Sequence, residues 1–113
     1  MSDAEEIDTL VASGDTEFPA LFQLFGGYFH EDWRSEYADP DVAVAAYRME
    51  APADAVREAV AELDRIFAAR LPEPALSRLL SDGFGCSYVP ARDETTNADW
   101  LASVREGLAG HKG

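Results

Sequence analysis

The hydrophobic side chains of this protein recur at the spacing of α-helices. The first clear run places four of them at positions i, i+3, i+4 and i+7: Phe18, Leu21, Phe22 and Phe25. That spacing predicts one apolar stripe along a helix, which Asp15 or Thr16 can cap and whose first turn suits Pro19. Gly26-Gly27 then predicts a break or kink in the run.

Three aromatic residues follow at intervals of four: Phe29, Trp33 and Tyr37. This interval predicts that their rings lie on one side of a helical turn. Asp39-Pro40 marks the start of a second helix, since Asp39 can act as its N-cap and Pro40 fits its first position. The predicted core side of this helix lies close to Tyr47 and has three members: Val42, Ala46 and Met49.

Pro52 opens the third and longest predicted helix, which runs to about Arg70. Its predicted core stripe consists of four residues at helical spacing: Val56, Val60, Leu63 and Phe67. Ile66 lies beside this stripe. Its polar side pairs opposite charges three residues apart, Asp54 with Arg57 and Glu62 with Arg65. Both pairs are therefore expected at the surface.

The fourth predicted helix is short. It follows the prolines at positions 72 and 74, ends at a glycine cap, Gly83, and carries three leucines: Leu76, Leu79 and Leu80. Residues 83–94, GFGCSYVPARDE, are rich in Gly and Pro and predict a packed loop with a short extended piece near Tyr88. Thr96 and Asp99 form a pair resembling a capping box. They precede a last helix with four inward side chains: Trp100, Leu101, Val104 and Leu108.

The sequence contains neither an alternating pattern of strand length nor an internal repeat. It therefore predicts an all-α fold, a single-domain irregular bundle of about five helices with the Gly/Pro-rich loop before the last one. Residues 1–17 are acidic and predict a flexible N-terminal segment with at most one short helical turn. Residues 18–109 are expected to form the helical domain, and residues 110–113 a frayed tail.

Charge changes this picture more than any motif does. The 113 residues include 22 Asp and Glu against 9 Lys and Arg, a net charge of −13 at pH 7. Such a surface repels phosphate backbones, so direct binding to nucleic acid or to an anionic membrane is not expected. It attracts basic proteins and speeds their encounter, although an acidic chain can also be merely a soluble one.

The compartment is predicted from what the sequence lacks. Cys86 is the single cysteine and cannot form an internal disulfide, which suits a reducing compartment. The first nine residues contain no basic residue and no apolar run, so no secretory signal is expected. No apolar stretch approaches the roughly 20 residues that cross a bilayer. These features predict a cytoplasmic protein.

Candidate catalytic and metal-binding residues are few. The residues His30-Glu31-Asp32 suggest a metal or acid–base site, but adjacent helical residues point in different directions. The other histidine, His111, lies in the predicted tail, and the HExxH spacing is absent. Cys86 lacks a placed base and is expected to be a small core residue. The sequence therefore predicts a non-enzyme with no catalytic residue, cofactor or metal.

A group of acidic residues surrounds Trp33 and Tyr37. We call it the acidic patch, and it comprises Glu31, Asp32, Glu36, Asp39 and Asp41. The aromatic residues are expected to be core, and the acids a solvated face. A solvated acidic face is also what a basic partner binds, so the patch is the predicted partner-binding site.

The segment from Phe18 to Pro40, FPALFQLFGGYFHEDWRSEYADP, resembles the opening signature of one family of immunity proteins from bacterial contact-dependent growth inhibition systems. That signature reads FGGYFHxDW, then an acidic residue, Tyr and Asp-Pro. The matching residues are Phe25, Gly26, Gly27, Tyr28, Phe29, His30, Asp32, Trp33, Glu36, Tyr37, Asp39 and Pro40. Weaker matches are Gly85-Cys86-Tyr88-Pro90 and Trp100-Leu101. The resemblance covers about Phe18 to Leu108.

The resemblance implies a function. Such immunity proteins stay in the cytoplasm and block the toxic C-terminal domain of a large exoprotein delivered by neighbouring cells. The toxins are often nucleases with basic substrate-binding surfaces, which the acidic balance of this chain would suit. A cognate, basic toxin domain is therefore the expected partner, and the oligomeric state is left open.

Two questions stay open at the level of sequence. The signature is rich in aromatic and Gly residues and is typical of a scaffold, so the toxin footprint can lie elsewhere, on the charged face of the third helix or in residues 83–94. The function can also differ in class. The alternatives are a small enzyme or metal protein that uses His30 with nearby carboxylates, and a general acidic adaptor.

Overall fold

A computed structural model describes residues 3–109 of the chain, with side chains from residue 7 onward. Within this range the chain forms eight α-helices and no strand, so the all-α prediction is confirmed while about five helices is too few. The helices are α1 Asp3–Ala12, α2 Gly14–Glu17, α3 Pro19–Tyr28, α4 Trp33–Glu36, α5 Pro40–Glu50, α6 Ala53–Ala69, α7 Glu73–Arg78 and α8 Asn97–Ala109. The predicted tail and His111 lie outside the described residues.

Two shorter elements complete the chain. A π-helical turn, Leu79–Gly83, continues directly from α7, and a 3₁₀ turn, Pro90–Asp93, precedes α8. Helix α8 packs against α5, α6 and α7, and α3 packs against α5 and α6. None of the described helices combines the length and the apolar character that crossing a membrane requires.

Between Asp3 and Glu17 the chain forms two helices, α1 and α2, whereas the sequence predicted at most one short helical turn there. Helix α1 packs against the π turn, and Val11 is buried in the shared core. A Cβ atom at Gly14 would lie 2.8 Å from the carbonyl oxygen of Gly83. The two backbones therefore approach at a distance that only glycine permits, a long-range contact that helical periodicity does not reveal.

Helix α3 has Pro19 in its first turn, as predicted, but it continues through Gly26-Gly27 to Tyr28 instead of breaking. A Cβ atom at Gly26 would lie 2.8 Å from the carbonyl oxygen of Phe84. Glycine at this position thus allows close packing of the 83–94 segment rather than a kink. Phe22, predicted in the core stripe, is 37% exposed.

The N-terminus of α3 is capped by Glu62 from the middle of α6. Its carboxylate accepts the Ala20 N–H at 3.2 Å and the Leu21 N–H at 2.9 Å. Neither Asp15 nor Thr16 supplies the predicted cap. The first N–H groups of a helix lack partners within the helix, and a carboxylate satisfies them while meeting the positive end of the helix dipole.

The expectation that Glu62 forms a surface pair with Arg65 is wrong. Glu62 is 0% exposed, and Arg65 forms its salt bridge with Glu17 at 3.1 Å while its guanidinium lies over the ring of Phe18. The spacing of three permits the pair. The two hydrogen bonds that Glu62 accepts at the buried helix end stabilise it more than a solvated ion pair with Arg65 would. The other predicted pair, Asp54 with Arg57, is present at the surface.

A second carboxylate caps α8. Glu73 at the start of α7 accepts the Asn97 N–H at 2.8 Å and the Ala98 N–H at 3.0 Å. The predicted hydrogen bond between Thr96 Oγ1 and the Asp99 N–H is also present, at 3.0 Å. The four inward side chains predicted for this helix are all buried: Trp100, Leu101, Val104 and Leu108.

The core centres on aromatic rings from α3, α4, α8 and residues 83–94. The ring of Trp100 lies 5.5 Å from Phe25, 5.3 Å from Phe29 and 4.8 Å from Tyr88. From Phe84 to Pro90 the side chains alternate between buried and exposed. This loop pairs with no strand in the described structure, yet every second side chain packs into the core, which fixes the loop to the bundle.

Helix α5 starts as predicted but presents a different face to the core. Asp39 caps it by accepting the Val42 N–H at 3.1 Å. Its buried residues are Ala43, Val44 and Tyr47, whereas Val42 is 43% exposed and Met49 82% exposed. The predicted core side is wrong because this helix has two apolar stripes, and periodicity alone does not decide which one is buried.

In α6 the buried set is Ala59, Glu62, Leu63 and Ile66. The remaining members of the predicted stripe are only partly buried: Val56, Val60 and Phe67. The three leucines of the fourth predicted helix are all buried: Leu76, Leu79 and Leu80. The predicted single helix is therefore α7 followed by the π turn.

Replacing Glu62 by alanine tests its capping role. Glu62→Ala leaves two buried N–H groups without acceptors, at about 1–3 kcal/mol each. We expect the free energy of unfolding, measured by urea denaturation, to fall by about 3 kcal/mol. Glu58→Ala, an exposed glutamate one turn earlier, should change it by less than about 0.5 kcal/mol. Equal effects of the two substitutions would contradict the capping role.

The same carboxylate gives stability a pH dependence. Burial raises the pKa of Glu62 above its ordinary value of 4.5, and the hydrogen bonds from Leu21 and Ala20 oppose that rise. A raised pKa in the folded state means that the fold favours the protonated form. The contribution of Glu62 to stability is thus full below its unfolded pKa and is lost as the pH rises through its folded pKa.

We therefore expect the stability advantage of wild type over Glu62→Gln to be largest below the unfolded-state pKa of about 4.5 and to shrink as the pH rises from there through the raised folded-state pKa. Urea denaturation of both proteins across this range measures the difference directly. An advantage that grows with pH would mean that the folded pKa is lowered instead.

Candidate functional site

The structure places all five members of the acidic patch at the surface. Glu31 and Asp32 lie in the turn before α4, and Glu36 is the last residue of that helix. Asp39 caps α5, and Asp41 lies in its first turn. The acids therefore follow one continuous stretch of chain that leads from the end of α3 into α5. Partner binding by this stretch stays a prediction.

The aromatic residues between these acids belong to the scaffold. Phe29 and Trp33 are buried, with ring centroids 5.3 Å apart. Tyr37 does not continue that stack as predicted. It lies 5.9 Å from the ring of Tyr28 instead, because α4 ends at Glu36 and the chain becomes extended at Tyr37. Burial of the rings holds the acidic turn rigidly against the core.

His30 has local partners. Its Nδ1 accepts the Asp32 N–H at 3.1 Å, and its Nε2 lies 3.6 Å from the Glu36 carboxylate. Within the described part of the chain, no three His, Cys, Asp or Glu side chains form a group that could hold a metal ion. The geometry thus gives His30 a role in ordering the turn that carries two acids of the patch.

Cys86 is also held in the core. Its thiol donates to the carbonyl oxygen of Tyr88 at 3.6 Å, and burial raises the pKa of the Cys86 thiol to about 12. Since the thiolate is the nucleophilic form, almost none of it is present at neutral pH. This environment is typical of a structural cysteine.

The outer surface of α6 is a weaker docking site for a basic partner. Most of its charges are paired with opposite ones, Asp54 with Arg57, Asp64 with Arg105, and Arg65 with Glu17, while Glu58 is a further exposed acid on this helix. The potentials of such pairs largely cancel. The acidic patch, in contrast, has five acids in eleven consecutive positions from residue 31 to 41, with Arg34 as the cation among them.

Sequence reasoning missed one surface feature. The outward face of α5, which we define as Val42, Ala45 and Met49, is exposed. Beside it, a cleft of about 250 Å³ lies between α5 and α8 and has eight lining residues: Asp41, Val44, Ala45, Arg48, Met49, Ser103, Val104 and Gly107. The sequence analysis assigned two of its members, Val42 and Met49, to the core, because an apolar stripe by itself does not indicate whether it is buried or exposed.

Two comparisons with known proteins give matches. Residues 17–108 match the family model of the CdiI immunity proteins. A chain in the crystal structure of a CdiA-CT/CdiI complex from Y. kristensenii 33638 is similar in fold, with a TM-score of 0.77 and 26% sequence identity. The alignment covers 81% of this chain and 98% of that chain. No curated protein matches the sequence.

The environment of Cys86 predicts low thiol reactivity. In the folded protein we expect Cys86 to react with an aromatic disulfide reagent at least about 100-fold more slowly than in urea, because the thiol is buried and protonated. Absorbance of the released thiolate measures both rates. Rapid reaction in the folded state would contradict the structural role of Cys86 and would indicate that its thiol is accessible as a nucleophile.

Proposed function

This protein belongs to the CdiI immunity protein family, and from that premise we propose that it binds and neutralises one specific toxin. The toxin is the C-terminal domain of its cognate contact-dependent growth inhibition exoprotein. The observation that carries this proposal is the match over residues 17–108, which spans most of the chain. The similar solved chain comes from a CdiA-CT/CdiI complex, which supports a protein partner of the same kind.

The charge supports a basic toxin. A net charge of −13 gives long-range attraction to a basic domain and raises the association rate. Enzymes that cleave nucleic acids need basic surfaces to bind the phosphate backbone. We therefore assign the toxin to the nucleases, and the acidic patch to the surface that meets its basic groove.

Inhibition of this kind needs no chemistry from the immunity protein. A complex of ordinary size buries about 1,200–2,000 Å² in total and can exclude a nucleic acid substrate by occupying its binding surface. The buried state of Cys86 and the local partners of His30 fit this reading. The protein acts as a stoichiometric inhibitor in the cytoplasm, where the delivered toxin would otherwise reach its substrate.

The docking role of the patch is tested by reversing two of its charges. For Asp32→Lys with Glu36→Lys we expect the rate constant for association with the cognate toxin domain to fall on the order of tenfold at low salt. The dependence of that rate on salt should flatten, because fewer opposite charges remain to steer the encounter. Stopped-flow fluorescence at several salt concentrations measures both.

The matched control reverses two exposed acids elsewhere, Glu58→Lys with Asp82→Lys, and changes the net charge by the same amount. It should slow association much less than the patch variant. Equal slowing by the two variants would mean that net charge alone steers the toxin. Unchanged kinetics in the patch variant would exclude the patch as the docking face.

A further inference from the structure

Helix α5 has two apolar faces, and the core uses one of them. Ala43, Val44 and Tyr47 are buried. On the opposite side of the helix, Val42 and Met49 are large apolar side chains at 43% and 82% exposure. A surface helix ordinarily opposes its apolar stripe with a polar one. The outward face of α5 therefore contributes much less to the core than the inward face does.

The cleft beside this face has the form of a side-chain pocket. Ala45 and Met49 lie on its α5 wall, Ser103 and Gly107 on its α8 wall, and its volume is about 250 Å³. Gly107 brings the α8 backbone close to α5, since a Cβ atom there would lie 3.3 Å from Val44 Cγ1. Such a volume can hold one apolar side chain of a partner, as interface anchors require.

Charge indicates which partner fits. Asp41 lines the cleft and belongs to the acidic patch, Asp39 caps the same helix, and Glu50 ends it. Arg48 also lines the cleft, so the acidic excess lies toward the start of α5. An exposed apolar face whose edges have three acids and one arginine matches the usual interface pattern of an apolar centre with a charged rim. This rim complements a basic partner rather than a second copy of this acidic chain.

We infer that the outward face of α5 and the adjoining cleft form the apolar centre of the toxin interface, and that an apolar side chain of the toxin, flanked by Lys or Arg, occupies the cleft. This inference rests on the proposed function and adds to it the location of the short-range contacts. The acidic patch then governs the encounter, while Met49 and Ala45 govern how long the complex lasts.

The test uses two substitutions that leave the net charge unchanged. Met49→Ala removes the exposed anchor, and Ala45→Gln places a polar amide at the cleft. For each we expect the Kd for the cognate CdiA-CT domain to rise at least about tenfold, mainly through a faster dissociation rate. The salt dependence of association should stay that of the wild type. Val89→Ala, a truncation at another exposed apolar residue, should change the Kd less than about twofold.

Thermal unfolding of each variant verifies that it folds, which the exposure of both positions favours. Unchanged dissociation in both variants, with tight wild-type binding, would overturn the inference and leave the proposed function in place. Self-association of the wild type that Met49→Ala abolishes without effect on toxin binding would also overturn it, since a second copy would then be the occupant. Failure of the wild type to bind the toxin domain would overturn both.

Discussion

The arrangement of this bundle depends on a carboxylate buried at a helix end. Glu62 lies in the middle of α6 and accepts two N–H groups at the start of α3, forty-one and forty-two residues earlier in the chain. This fixes the position of α3 along α6, and α3 in turn carries Phe25 into the ring cluster around Trp100. Glu73 acts in the same way at the start of α8. Two carboxylates thus hold the two central helices in register, and apolar packing fills the space between them.

The residues that stabilise the fold are largely different from the residues of the proposed contact surface. Several aromatic and glycine residues of the family signature belong to the scaffold: Phe29 and Trp33 are buried, and Gly26 lets the Phe84 carbonyl approach α3. The acids between those rings point outward. A family can keep such a scaffold while its outward residues differ from one toxin pair to another, because exposed side chains contribute little to folding unless, like Asp39, they cap a helix.

Local patterns in the sequence predicted much of this fold, whereas contacts between residues far apart in the chain could not be predicted from them. The Asp39 cap and the inward face of α8 follow from residues within one or two turns of each other. The face of α5 does not, because both of its sides are apolar and only the surrounding helices decide which is buried. Glu62 illustrates the same limit. Its spacing of three from Arg65 is compatible with a surface ion pair, and the sequence near Glu62 gives no sign of the distant helix end that it caps. The acidic patch could be predicted because charge is read directly from the sequence, whereas the α5 cleft exists only once α8 is in place.

Growth of bacteria that produce the cognate CdiA-CT domain, with and without this protein, tests the immunity function most directly. We predict that the toxin domain alone arrests growth and that co-production of this protein restores it, while an immunity protein of a different toxin does not. Arrest that persists at full, folded expression of this protein would contradict the account. The chain would then share the fold and sequence pattern of the CdiI family without the protective role proposed for it.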